Sequence, residues 1–203
     1  MQEVYSQKLL LSQEEERKRI SKDLHDSLGQ SLLLIKNKVS LKSDENTKEL
    51  VNNAIEEMRN ISRVLHPFQL EEIGISRALE NLISQLDENY KDILIFGDID
   101  DTMNVLNPNQ EVNIFRIVQE CISNIIKHAN ADSAKITLLN KENEIIISIK
   151  DNGVGFDFSE KYNDFKSLGL KTIKERVKFL KGTLKVDSIK NQGTTFTIQF
   201  LKV

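Results

Sequence analysis

Glycine and proline are spread so unevenly along these 203 residues that no single repeating architecture can account for the chain. Before Pro67 there is one glycine, Gly29, and no proline. Five of the eight glycines, Gly153, Gly155, Gly169, Gly182 and Gly193, fall in the last third. These two residue types punctuate secondary structure. An unpunctuated front therefore reads as long helices, and a punctuated back as strands, turns and shorter helices. The apolar residues of the front obey the helical period. Leu24, Leu28, Leu32, Ile35 and Val39 follow one another at steps of four, four, three and four, one stripe of a helix. After the polar break KSDENTKE a second stripe runs Leu50, Ala54, Ile55, Met58, Ile61, Leu65. Two such helices joined by a short turn form an antiparallel hairpin. Its core is too thin to stand alone, so pairing with a second copy into a four-helix bundle is expected. The segment Val4 to Ile20, with its charged run EEERKR, continues the first helix outward as a coiled-coil extension. His66-Pro67 stops the second helix, because proline lacks an N–H and restricts its neighbour.

Beyond the linker PFQLEEIG the element types alternate. A helix is predicted from Ser76 to about Tyr90, and a strand over ILIFGDI, residues 93–99. Asn107-Pro108 opens a long helix from about Asn109 to Ala129, broad in its apolar face. Strands follow over 134–139 and 144–150, then the turn DNGVGFD, a loop, and a helix over 170–180 ended by Gly182. Two last strands, 183–189 and 194–201, flank KNQG. This is an α+β arrangement, with helices packed on one face of a mixed sheet. The expected domains are residues 1–70, the helical hairpin, and residues 71–203.

Charge and cysteine content exclude several classes of function. Lys+Arg total 28 against 31 Asp+Glu, a net charge of −3. A chain that coats nucleic acid needs a basic excess, so no direct nucleic-acid partner is expected. One cysteine, Cys121, excludes an internal disulfide and fits a reducing compartment. No run approaches the roughly 18 apolar residues of a membrane span, and the first residues lack the basic-then-apolar order of a signal peptide.

Five short stretches carry candidate chemistry. In KDLHDSLGQ, His25 is followed by Asp26, and Gln30 lies one turn beyond Asp26. A histidine whose neighbouring carboxylate holds its tautomer is a credible nucleophile; a solvated helix face is the plain alternative. On the long helix Glu120, Asn124 and His128 recur at steps of four, with Lys127 beside them. A carboxylate and an amide oxygen suit Mg²⁺, which keeps several waters and bridges to phosphates, and Lys127 can neutralise phosphate charge. In DNGVGF, Asp151 ends a strand, and Gly153 and Gly155 permit close approach of a ligand. SLGL places Gly169 before a helix N-terminus, a natural anion site. GTTF opens the last strand. Each stretch alone also reads as an ordinary helix face, turn or cap.

Their order and setting give the combination its meaning. The chain resembles the catalytic core of two-component sensor histidine kinases, of the subgroup that partners NarL/FixJ-type response regulators. KDLHDSLGQ resembles the phosphoacceptor box, RIVQECISNIIKHANA the N box, DNGVGFD and SLGLKTIKERV the two glycine boxes, and GTTFTIQF the last box. The resemblance implies a dimeric helical bundle joined to an ATP-binding α/β sandwich of the gyrase, chaperone and mismatch-repair superfamily. It implies that His25 is phosphorylated by ATP, with Asp26 as acid/base partner and Gln30 positioning water when the response regulator is dephosphorylated. It implies Glu120 and Asn124 as Mg²⁺ ligands, with Lys127 and His128 near the phosphates. Asp151 would recognise adenine, Gly153 and Gly155 would shape the pocket, Gly169 would underlie the phosphates, and Thr195 would support the adenine site. The implied partners are a second copy of the chain and a receiver domain of the NarL/FixJ type. The implied location is cytoplasmic, with any membrane attachment made through a segment absent from this sequence, and the charged helical start favours a fragment of a longer protein. Two departures stand out. Ser167 replaces a glycine often found in the second glycine box, and the lid, Asp157 to Lys166, is short. An anti-sigma-factor-like serine kinase lacks a box like that of His25, and a scaffold with a degenerate pocket would not keep Asn124, Asp151 and the glycines.

Overall fold

The structure is a computed structural model that describes residues 2–39, 45–65, 69–102, 106–156 and 168–202. The His66-Pro67 helix stop, the lid segment from Asp157 to Lys166, and Ser167 lie outside the described residues. Internal contacts divide the chain into two compact units, Met1–Phe68 and Gln69–Val203.

The first unit is a helical hairpin. Helix α1 (Gln2–Asp23) passes through a π-helical turn (Leu24–Gly29) into α2 (Gln30–Val39), and α3 (Glu45–Leu65) packs along all three parts. Small polar residues let the helices approach. Ser21 Oγ donates to the Ser62 carbonyl at 2.8 Å and lies 2.7 Å from Ser62 Oγ, with both residues buried. Buried Gly29 presents its bare Cα to Met58. Ile55 and Met58 are buried, whereas Leu28, Ile35, Leu50 and Ile61, all members of the expected stripes, remain 46–63% exposed. One hairpin covers only part of its apolar surface. The π turn itself was not expected from the helical period.

The second unit begins with α4 (Gln69–Asn89), bent at Gly74, whose φ of 73° no helix accommodates. It continues through β1 (Leu94–Ile99), α5 (Pro108–Asn124) with a π-helical turn (Ile125–Ala129), β2 (Ser133–Asn140), β3 (Glu144–Asp151), α6 (Leu168–Phe179), β4 (Thr183–Ile189) and β5 (Gly193–Leu201). The entry to α5 is fixed by a reciprocal cap. Asn107 Oδ1 accepts the Gln110 N–H at 3.0 Å, and the Gln110 side chain accepts the Asn107 N–H at 3.0 Å. Two orphan donors of the first turn are thereby satisfied. The sheet runs β1-β2-β3-β5-β4, with β1 and β2 parallel and the other pairs antiparallel. Alternate strand residues, among them Ile136, Leu138, Ile147, Ile149 and Ile198, are fully buried and share one core with Leu79 of α4, Ile117 and Ile122 of α5 and Ile173 of α6. Each such side chain contributes roughly 1.5–3 kcal/mol of burial. The α+β class is as expected. Leu70, assigned by sequence to the hairpin domain, is 3% exposed in the core of the second unit instead. Among the described residues no helix is long and apolar enough to cross a membrane.

Candidate functional site

Antiparallel pairing sets Asp151, at the end of β3, directly opposite Thr194, at the start of β5. The last turns of α5 and the first turn of α6 close over this end of the sheet. Between them lies a cavity of about 380 Å³. Its wall is formed by Cys121, Asn124, Ile125, His128 and Ala129, by Asp151, Val154, Gly155 and Phe156, and by Gly169, Leu170, Thr194 and Phe196. Apolar groups dominate and a few polar ones converge, as small-molecule sites require.

Asp151 is the buried acid of this wall, 4% exposed. The Gly153 N–H donates to its Oδ1 at 2.8 Å, and the Thr194 N–H also donates to the carboxylate. Burial pushes its pKa above the ordinary carboxylate value, and those two N–H bonds work in the opposite direction. Thr194 Oγ1 lies 2.9 Å from Ser188 Oγ, which accepts the Phe156 N–H at 2.8 Å. The glycine turn is thus tied to the β4–β5 hairpin. Gly153 is dictated by space: a Cβ there would overlap the Ala129 carbonyl oxygen and stand 2.8 Å from the Ala129 Cβ. Gly155 is dictated by conformation and space together, at φ 57° and against the Ile189 carbonyl.

Asn124 and Glu120 bring oxygen donors to the α6 end of the cavity. A Cβ on Gly169 would overlap Glu120 Oε1 and stand 3.6 Å from Asn124 Nδ2. The missing side chain is what lets both polar groups reach the N-terminus of α6. Among the described residues Asn124 Nδ2 is buried without a hydrogen-bond partner, and turning the amide over presents its oxygen to the same space. An amide oxygen and a carboxylate suit a hard cation that keeps waters and phosphate oxygens as its other ligands. Among the described residues no group of three His, Cys, Asp or Glu side chains forms a metal cage. His128 lines the cavity, while Lys127 is exposed and outside its wall. Cys121 sits in the wall with burial pushing its thiol pKa up, so it stays protonated.

One expected residue faces the other way. The inward residues of β5 are Thr194, Phe196, Ile198 and Phe200. Thr195 alternates onto the opposite face, between Lys150 and Asp187 of the neighbouring strands. Thr194, not Thr195, reaches the cavity. The parity of the strand held this signal, since Thr194 shares the face of Phe196 two residues on. Ser188, Asn152 and Phe156 were also missed, and their roles are bonds between distant segments that no local pattern announces.

The first unit holds its own cluster. His25 lies in the π turn, 70% exposed on its side chain, with Nδ1 3.5 Å from Asp26 Oδ1. That separation is long for a hydrogen bond. Asp26 and Gln30 are exposed as well. Turns of this kind are concentrated at functional sites.

Comparison with known proteins follows the two units. Residues 16–70 match the histidine kinase family. Residues 109–203 match the histidine kinase-, DNA gyrase B-, and HSP90-like ATPase family. Over 95% of its length the chain is 32% identical to the oxygen sensor histidine kinase NreB of Staphylococcus carnosus, and over 94% it is 30% identical to the sensor histidine kinase ComP of Bacillus subtilis. It spans 58% of the first relative and 27% of the second. The fold is also that of the histidine kinase domain from the Erythrobacter litoralis EL346 blue-light activated histidine kinase. That likeness has a TM-score of 0.55 at 16% identity and covers 84% of this chain and 95% of that one.

Proposed function

The chain belongs to the sensor histidine kinases, and from that premise we propose that it binds ATP in its second unit and transfers the γ-phosphoryl group to His25. One observation carries the reading. Asn124, His128, Asp151, Gly155 and Gly169, widely separated in sequence, meet around one cavity. Asp151 offers a buried acceptor for the exocyclic amino group of adenine, and the apolar wall takes the ring. Without a side chain at Gly169, phosphate would be able to approach the N-terminus of α6, where the helix dipole favours negative charge. Glu120 and Asn124 would hold Mg²⁺, which would supply neutralisation of the phosphate charge. By resemblance His128, which lines the cavity, would serve as a further donor to the phosphates, and Lys127, exposed outside the wall, would reach them only through its long side chain.

At the acceptor, Asp26 would draw the Nδ1 proton once the 3.5 Å separation tightens in the reacting complex, which leaves the Nε2 lone pair to attack. The N–P bond forms as the bond to the β-phosphate oxygen breaks, and ADP leaves. The phosphoryl group then passes to an aspartate of a receiver domain, of the NarL/FixJ type by resemblance. Gln30, which has no titratable proton, would place water when that receiver is dephosphorylated. The incompletely covered stripes of the helical hairpin would be closed by a second copy, as a four-helix bundle, with the second unit, Gln69–Val203, as the ATP-binding domain. The test is incubation with γ-labelled ATP and Mg²⁺. Wild type should acquire acid-labile, base-stable label, and His25→Gln should acquire none. Full labelling of His25→Gln would remove the proposal.

A further inference from the structure

Asn152 sits between Asp151 and Gly153 but does not line the cavity. Its Oδ1 accepts the N–H groups of Asp132 at 3.0 Å and Ser133 at 2.9 Å, and its own N–H donates to the Ser133 carbonyl at 3.3 Å. Asp132 and Ser133 follow closely on the π turn that supplies His128 and Ala129 to the wall, just past Asn130, whose φ of 47° ends the helix. The neighbours of Asn152 are bonded in other directions. The Gly153 N–H is on the Asp151 carboxylate, and the Val154 N–H is on the Ala129 carbonyl at 2.7 Å. Three successive residues therefore fasten the turn to its own acid, to the end of α5 and to the start of β2. The first two bonds lie at the cavity. The bonds of Asn152 hold the segment that connects its two sides.

We propose that Asn152 is a positioning residue for nucleotide binding, locking the wall of Asn124, His128 and Ala129 to the wall of Asp151. The inference rests on the reading of the cavity as a nucleotide site. Its chemistry is specific, because both side-chain bonds are accepted by oxygen. A carboxylate at this position takes the same two bonds, with the added strength of charge. A residue that acted instead by donating its amide N–H to phosphates would be harmed by a carboxylate, through repulsion.

The experiment measures the affinity of the whole chain for adenylyl imidodiphosphate with Mg²⁺ by calorimetry, at a temperature where each variant is folded. Asn152→Ala should bind about tenfold more weakly than wild type, two acceptor bonds having been lost. Asn152→Asp should restore binding to within about threefold of wild type. Amide exchange at Asp132 and Ser133 should quicken in the alanine variant and return in the aspartate variant. Alanine-variant affinity equal to wild type overturns the inference, as does an aspartate variant weaker than the alanine one. If the alanine variant does not fold, the aspartate variant decides alone: near-wild-type affinity supports the lock, and a tenfold loss overturns it. A wild-type chain that binds no nucleotide overturns the cavity reading itself, and Asn152 with it.

Discussion

Adding one methyl group at Gly153 should damage the second unit, and adding the same group at Gly29 should not. At Gly153 the new Cβ would stand 2.8 Å from both the carbonyl carbon and the Cβ of Ala129, closer still to its oxygen. Ordinary Cβ contacts begin near 3.4 Å, so backbone must separate from backbone by more than half an ångström. Overpacking of this kind costs about 1–3 kcal/mol. The separation also lengthens the Val154 N–H bond to the Ala129 carbonyl, now 2.7 Å, and its loss adds about 0.5–1.5 kcal/mol. A total of roughly 1.5–4.5 kcal/mol should lower the melting temperature of a unit of this size by roughly 5–16 °C. Nucleotide affinity should fall with it, because Ala129 and Val154 both line the cavity. At Gly29 the nearest atom to a new Cβ is the Met58 methyl, at 3.5 Å, an ordinary contact. There, alanine relieves the entropy cost of glycine in a helix and should stabilise the first unit by roughly 0.5–1 kcal/mol. Calorimetry of both variants, with amide exchange to assign each change to its unit, reads the contrast. A Gly153→Ala protein that melts within about 2 °C of wild type and binds nucleotide unchanged would show that the turn is free to move away from Ala129, and the packing argument would fail.

Asp151 should make nucleotide binding sensitive to acid. Because burial raises its pKa, protonation removes the acceptor at a higher pH than the roughly 3.9 of an ordinary aspartate. Affinity measured on a falling pH series should drop on that higher side and recover on neutralisation, and a flat series would contradict it. Stability runs the other way. A raised folded pKa gives a contribution present below the unfolded value and lost as pH rises through the folded one, so mild acid should favour the nucleotide-free second unit. Asp151→Asn should lose at least about tenfold in affinity at neutral pH, the scale of a hydrogen bond to a charged group. In the first unit, Leu28→Asp or Ile61→Asp should convert a dimer into monomers by light scattering, since both side chains are about half exposed in a single chain. A monomeric wild type at micromolar concentration would refute the bundle.

Local rules made most elements legible. Asn107-Pro108 announced α5, and the turns DNGVGFD and KNQG marked where β3 ends and where β5 begins. Both π turns were hidden, since a helical period averaged over several turns absorbs one wider turn. The two successive steps of four from Leu24 to Leu32 are the trace it left in the first unit. The error at Thr195 came from reading a motif by residue type and not by strand parity.

Sequence alone determined which residues are candidates for the chemistry. His25 beside Asp26, Asn124 one turn from Glu120, and Asp151 before two glycines are chemically suited to their roles whatever surrounds them. It also determined that the hairpin would be short of core, because apolar stripes are counted in one dimension. Only the tertiary structure decided which of those groups share a space. Asp151 and Thr194 face each other because β3 pairs with β5 in one register and not the next. Glu120 and Asn124 reach the start of α6 because Gly169 has no side chain to hold them off. Asn152 connects β3 to β2 through bonds across some twenty residues. Such contacts join segments far apart in the chain. Their energies depend on a backbone already placed by the whole core, so no window of sequence contains them.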